Sequence, residues 1–191
     1  MSTKKGIILL VALSLMANGV FYAALADHND HKERKRYQKR HRNSSEHNGK
    51  HHLKPVDNPT YKEICGDCHF AYQPELLPSG SWEKILAGLA DHNGEEIEID
   101  QESKKIISEY LKANSAEYSS AKRAVKIMKS LRGQTPMRIT DVPYIRHKHE
   151  DDDIPADAFT RKSVGSMSNC IACHTAAENG VYEDDHVVIP K

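Results

Sequence analysis

The sequence has few aromatic residues and no net charge. Aromatic side chains make up 6% of its 191 residues, and 27 basic residues balance 27 acidic ones. The N-terminal third is basic and the rest is acidic, but no basic stripe is interleaved with aromatic residues in the part that we expect to fold. This pattern argues against nucleic acid as a partner. At this length we expect at most two compact units.

Cysteine is also scarce, because the chain contains only four. They form two C-x-x-C pairs, each followed directly by a histidine, and no cysteine is left over. This C-x-x-C-H pattern is typical of c-type haem attachment, in which two thiols form thioethers with one haem and the histidine binds its iron. The sequence therefore predicts two covalently attached haem c groups. The predicted attachment residues are Cys65 and Cys68 with His69, and Cys170 and Cys173 with His174.

Three other uses of the cysteines fit less well. A zinc site would pair its two C-x-x-C units at a spacing of roughly 15 to 20 residues, whereas Cys68 and Cys170 are far apart in the sequence. A thioredoxin-like redox pair would need a strand–helix–strand context that the pattern does not show. Structural disulfides suit an exported protein but do not explain a histidine directly after each pair.

The N-terminal segment predicts export. Residues 1–26 begin with Lys4 and Lys5, continue through an apolar run, and end in Ala24-Leu25-Ala26, as a secretory signal peptide does. We expect a periplasmic protein, attached to the membrane only if this segment stays uncleaved. Residues 27–56 are rich in His, Lys and Arg and have almost nothing to bury, so we expect them to be disordered.

The remaining sequence predicts a mainly α fold. We expect a small helical domain with the first haem at 57–133 and a smaller, mostly irregular domain with the second at 134–191. Apolar spacing predicts one helix over Tyr61 to Ala71, and others that begin at Ser81, Asp100 and Tyr118. The segment 137–145 lacks helical periodicity and is predicted to be extended. Ser168 is predicted to cap a short helix that ends at Gly180.

Methionine is too rare to be the obvious second ligand of both irons. Four histidines of the expected folded part remain, namely His92, His147, His149 and His186. His92 continues the apolar stripe of Trp82, Ile85 and Leu89, so we expect it to face the first haem. The other ligand is predicted to be His149 or His147, which would face opposite ways on an extended segment.

Besides the two haem motifs, the sequence contains Leu77-Pro78, Ser81-Trp82, Gly88-Leu89, His92, Gly94, Arg138-Ile139-Thr140, Pro143-Tyr144, Lys148-His149, Val164-Gly165-Ser166 and Ile189-Pro190. On these residues, the chain resembles the dihaem cytochrome c family from about Tyr61 to its end. That family pairs a domain like class I cytochromes c with a smaller C-terminal haem domain, and each iron carries two histidines. The resemblance implies that His92 and His149 are the distal ligands. This chain has His147 where the family usually has a basic residue, and additional acids at Asp151 to Asp153.

The resemblance also implies a role. Family members carry single electrons, often from a membrane cytochrome b, to an oxygen-binding class I cytochrome c. If both irons are bound by two histidines, no position is open for a substrate, so we expect an electron-transfer protein and not an enzyme. Histidine in place of methionine predicts low reduction potentials. The alternatives are a peroxidase-like enzyme or sensor with one open iron, and a subunit of a larger respiratory complex.

Overall fold

The protein is described by a computed structural model over residues 52–150 and 153–191. Within these ranges the chain forms five α-helices and eight short 3₁₀ turns, and no β-strand. The mainly α fold is therefore confirmed. The predicted signal peptide and residues 27–51 of the segment predicted to be disordered lie outside the described residues. The helices are α1 (Pro59–Cys65), α2 (Ser79–Ala87), α3 (Gln101–Ala113), α4 (Lys122–Leu131) and α5 (Pro143–Lys148).

Helix α3 begins where the sequence predicts. The Asp100 carboxylate accepts hydrogen bonds from two backbone N–H groups of the first turn, at 3.0 and 2.9 Å, and so satisfies donors that have no partner inside the helix. The apolar face of α3 buries Ile107 and Leu111. None of the helices in the described ranges has the length and apolar character needed to cross a membrane.

Helix α4 begins later than predicted, at Lys122 instead of Tyr118. The Ser119 hydroxyl accepts a hydrogen bond from the backbone N–H of Ala121 at 3.1 Å, and such local bonds compete with the helical pattern. A 3₁₀ turn, Ala116–Tyr118, precedes this point. The helix ends before Gly133, as predicted, with a left-handed residue at Arg132.

Helix α2 is displaced from its predicted position. Ser81 was expected to cap it, but the helix begins at Ser79 after Pro78, and Ser81 is buried inside the first turn. It ends at Gly88, whose backbone N–H donates to the carbonyls of Lys84 and Ile85 at 3.0 and 3.1 Å. His92 therefore does not continue the α2 stripe, because it follows a separate 3₁₀ turn, Leu89–Asp91.

The segment 137–145 is not extended, and this prediction was wrong. A 3₁₀ turn, Ile139–Asp141, leads into α5. Pro143 is the first residue of that helix, where a backbone N–H would have no partner inside the helix and its absence costs no hydrogen bond. The segment is too short for its apolar residues to reveal a period, and fully buried Val142 fixes it against the core.

The second haem motif lies on 3₁₀ turns and not on an α-helix capped by Ser168. The turns are Cys170–Ala172 and Ala177–Asn179, and the residue before the first, Asn169, makes no side-chain capping bond. Gly180, with φ of 76°, ends the second turn as predicted.

The hydrophobic core contains residues from most of the described chain. Its largest fully buried apolar side chains are Leu77, Ile107, Leu111, Ile127, Leu131 and Val142. Leu53 and Val56 also belong to it, so the prediction of disorder was wrong for residues 52–56. The N–H of Leu53 donates to the Gly180 carbonyl at 3.0 Å. Ala177 and Tyr182 of the C-terminal part pack into the same core, and the boundary at residue 134 stays a prediction.

Candidate functional site

The first cysteine pair lies where α1 ends. The backbone N–H of Gly66 donates to the carbonyl of Lys62 at 3.0 Å and closes the last turn. A Cβ at Gly66 would lie 2.2 Å from that carbonyl oxygen, so this position requires glycine. The predicted helix through Ala71 was therefore too long. Cys65 is the last helical residue and is half-buried, while Cys68 lies on the following turn and is exposed.

The structure brings His69 and His92 close together. Their ring centroids are 6.4 Å apart, with 36° between the ring planes. Nδ1 of His69 makes a 2.9 Å hydrogen bond with the carbonyl of Phe70. His92 is held by reciprocal backbone hydrogen bonds with Glu95, at 2.8 and 3.3 Å. The two histidines therefore lie near each other although His92 is not on α2, and their role as ligands of one iron stays a prediction.

The second motif makes a matching pair with His149. The centroids of His149 and His174 are 5.9 Å apart, and the ring planes are inclined at 74°. Nδ1 of His149 makes a 2.7 Å hydrogen bond with the carbonyl of Ile145, one turn earlier on α5. The backbone N–H of His174 donates to the carbonyl of Cys170 at 2.8 Å. Nδ1 of His174 is buried and has no hydrogen-bond partner.

The other two candidate histidines lie outside these pairs. His147 is exposed on α5, two residues before His149. His186 is exposed on a 3₁₀ turn, Asp184–His186. His149 follows the last residue of α5 and is half-buried. The two histidines therefore differ because α5 presents one to solvent and ends at the other, and not because they alternate along an extended strand.

Both histidine pairs have a spacing that suits one iron between them. Two imidazoles bound to opposite sides of a metal, with metal–nitrogen bonds of about 2 Å and each ring centre about 1 Å behind its nitrogen, have centroids about 6 Å apart. The observed distances are 6.4 and 5.9 Å. Since each pair also lies next to a cysteine pair, the residues present fit two haem groups.

Burial favours the neutral form of His174 and His92. It lowers the pKa of His174 to about 4, and nearby His149 and Arg123 act in the same direction. Burial also lowers the pKa of His92, with a further contribution from His69. A neutral imidazole has the free lone pair that metal binding requires. Burial raises the pKa of the Cys65 and Cys170 thiols to about 11, unlike the lowered values of cysteines that act as catalytic nucleophiles.

A cavity of about 520 Å³ surrounds the second motif. Its walls are largely apolar, with a basic edge that comes mainly from α4. The apolar lining includes Tyr144, Ile145, Ile154, Phe159, Val164, Met167, Val187 and Ile189, and the basic lining residues are Lys122, Arg123, Lys126 and Lys148. Within the described ranges, no three His, Cys, Asp or Glu side chains converge as a protein-only metal site would require.

Sequence patterns missed the residues that link the two motifs. The Tyr72 ring lies 4.8 Å from the His69 ring, and its hydroxyl donates to the carbonyl of Ser168, beside the second motif, at 2.6 Å. The Tyr182 ring lies 5.3 Å from the His174 ring, and its hydroxyl donates to the amide oxygen of buried Gln73 at 2.5 Å. No local signal marks these tyrosines, because their partners are distant in sequence.

Comparisons with known proteins agree with this geometry. The family model for dihaem cytochrome c matches residues 61–182. A solved diheme cytochrome c from Rhodobacter sphaeroides is 38% identical, covers 68% of this chain and 100% of its own, and superposes with a TM-score of 0.60. A diheme cytochrome type c from Shewanella baltica is 33% identical, covers 70% of this chain and 93% of its own, and has a TM-score of 0.56. A search of curated proteins finds no match. The chain therefore belongs to the dihaem cytochrome c family, whose members are electron-transfer cytochromes with two haem groups.

Proposed function

We propose that this protein is a periplasmic c-type cytochrome that carries single electrons on two haems, each with two histidine ligands. Cys65 and Cys68 would hold the first haem, and Cys170 and Cys173 the second. The haem iron supplies the one-electron couple when bound. The observation that carries the proposal is the spacing of 6.4 Å between His69 and His92, together with the 5.9 Å between His149 and His174.

Hydrogen bonds support the orientation of these ligands. Nδ1 of His69 and Nδ1 of His149 each lie within hydrogen-bond distance of a backbone carbonyl, at 2.9 and 2.7 Å. A carbonyl acceptor at Nδ1 fixes the proton there and leaves Nε2 free for a metal. Both side chains would therefore offer Nε2 toward the space between the paired rings.

Two histidines at each iron favour electron transfer over catalysis. With both axial positions filled by protein, no oxygen, peroxide or substrate reaches the metal without displacing a ligand. Histidine ligation also favours the oxidised iron more than the methionine ligation of ordinary cytochromes c does, so we expect low potentials. The chain then contributes attachment, orientation and shielding from water.

The partners belong to the same proposal. We propose a membrane cytochrome b as electron donor and an oxygen-binding class I cytochrome c as acceptor, on the strength of the resemblance alone. Export is supported by the N-terminal pattern of residues 1–26. Fractionation of cells that make the protein, with haem staining of each fraction, tests the periplasmic location. Recovery of the haem protein from the cytoplasm would contradict it.

Distal-ligand variants test the site directly. In His92→Ala and in His149→Ala, one of the two low-spin haem signals should convert to high spin, so that about half of the low-spin intensity is lost. His147→Ala is the matched control, since it removes an exposed histidine only two residues from His149. It should leave both signals unchanged. Loss of low spin in His147→Ala, with none in His149→Ala, would overturn the assignment.

A further inference from the structure

We infer that the second site gives its haem the higher reduction potential of the two. The inference rests on the proposed function, because it takes His69, His92, His149 and His174 as the axial ligands. It goes further by ranking the two sites. Two independent differences between the sites point the same way, one in the hydrogen bonding of the imidazoles and one in the charges around them.

The first difference is the hydrogen bonding of Nδ1 in the histidine of each C-x-x-C-H motif. In the first site, Nδ1 of His69 has a carbonyl acceptor at 2.9 Å. Neither ring nitrogen of His92 is buried without a hydrogen-bond partner. In the second site, His149 has its carbonyl at 2.7 Å, but Nδ1 of His174 is buried without a partner. An acceptor at Nδ1 makes an imidazole a stronger electron donor. His174 is therefore the weaker donor, and it stabilises oxidised iron less.

The second difference lies in the charges. Asp67 lies between Cys65 and Cys68 in the sequence. Asp91 precedes His92, and Glu95 pairs with His92 through the backbone. Lys62, on the last turn of α1, is the basic residue close to them in sequence. The charged sequence neighbours of the first motif and of His92 are therefore mostly acidic, and negative charge near a haem would favour its oxidised state.

Among the residues that the structure describes, the edge of the second cavity carries a small basic excess. Its basic residues are Lys122, Arg123, Lys126 and Lys148, and its acidic residues are Asp153, Glu183 and Asp184. Arg123 and Glu183 approach each other to 3.9 Å and largely offset one another. Reduction adds an electron, so the positive excess stabilises the reduced state. Charge and hydrogen bonding thus raise the potential of the same site.

Electron paramagnetic resonance can identify each haem during a redox titration. Imidazole planes close to perpendicular leave two iron orbitals nearly equal in energy, which gives a strongly anisotropic low-spin signal. The 74° between His149 and His174 therefore predicts that signal for the second site, and the 36° between His69 and His92 predicts an ordinary rhombic one for the first. The low-spin signal left in His92→Ala belongs to the second site and checks the assignment, as does the signal left in His149→Ala for the first.

The test is a potentiometric titration of the full haem-loaded protein. At an applied potential midway between the two transitions, the ratio of reduced to oxidised iron should be at least tenfold higher at the second site, and tenfold corresponds to 59 mV for one electron. Equal ratios or the reverse order would overturn the inference while leaving two-histidine ligation intact. A high-spin haem in the unmodified protein would overturn the proposed function instead, so the two failures are distinguishable.

Charge variants on α4 test the cause. Lys122→Gln with Lys126→Gln removes two charges from the cavity edge and should lower the reduced-to-oxidised ratio of the second site about threefold at a fixed potential, with the first unchanged. Lys129→Gln is the matched control, because Lys129 is exposed on the same helix but does not line the cavity. An equal shift in the control, or a shift at the first site instead, would refute the role of the basic edge.

Discussion

Replacement of Gly180 by alanine should damage the protein far more than the same change at Gly165. Both glycines have positive φ, 76° and 80° respectively. A Cβ at Gly180 would lie 2.1 Å from the carbonyl oxygen of Leu53, whereas a Cβ at Gly165 would meet nothing within 4 Å. The two variants therefore separate backbone strain, which both share, from a clash that only Gly180 has.

The difference can be estimated from the contacts of Leu53. A left-handed conformation costs an ordinary residue about 1–2 kcal/mol, which is the loss expected for Gly165→Ala. At Gly180 the segment with Leu53 must also move. This movement breaks the 3.0 Å hydrogen bond from the Leu53 N–H to the Gly180 carbonyl. It also exposes the Leu53 side chain to water, whereas in the native protein Leu53 is only 2% exposed. With about 1 kcal/mol for the bond and about 2 kcal/mol for the leucine added to the cost of the left-handed conformation, we expect Gly180→Ala to lower the free energy of unfolding by about 4–5 kcal/mol.

Guanidinium chloride unfolding of the haem-loaded protein, followed by far-UV circular dichroism, measures both losses. Leu53→Ala provides an internal check, since it removes the side chain that Gly180→Ala displaces. The double variant should lose clearly less than the two single losses added together, because both act on one contact. Equal losses for Gly180→Ala and Gly165→Ala, or full additivity with Leu53→Ala, would refute this reasoning.

Three further predictions concern polar groups. Gln73→Leu should cost about 2–4 kcal/mol in chemical unfolding because it leaves the buried Tyr182 hydroxyl and a backbone carbonyl unpaired, and adding Tyr182→Phe should recover part of the loss. Burial raises the pKa of Glu117, but hydrogen bonds from Ser79 and nearby groups outweigh this and lower it. Its contribution is therefore present above the unfolded pKa and lost on acidification, so the stability deficit of Glu117→Gln should shrink below about pH 4. Asp100→Ala should lower the melting temperature through loss of the α3 cap, whereas Asp100→Asn should retain most of it.

Features set by neighbouring residues could be predicted from the sequence. The C-x-x-C-H motifs, the Asp100 cap of α3 and the stop at Gly180 each depend on residues a few positions away. The closeness of His92 to the first motif was also expected, although on an incorrect basis. The sequence suggested a continuous α2 stripe, whereas Gly88 ends that helix and a separate turn carries the histidine.

Features set by distant contacts could not be predicted. Gln73 is fully buried because its amide bonds Ala177 and Tyr182, more than one hundred residues away. Leu53 follows a polar segment and is still part of the core, because it pairs with Gly180. That His149 and not His147 lies near His174 depends on where α5 ends, which a short segment without a visible period does not reveal.

The central claim is that neither iron has an open coordination position. Electron paramagnetic resonance of the oxidised, unmodified protein, combined with exposure of the reduced protein to carbon monoxide, tests it most directly. The account predicts two low-spin signals, no high-spin signal, and no spectral change with carbon monoxide, because His92 and His149 would fill the second ligand position of each iron. A high-spin haem that binds carbon monoxide rapidly would contradict it and would indicate an enzyme or a sensor.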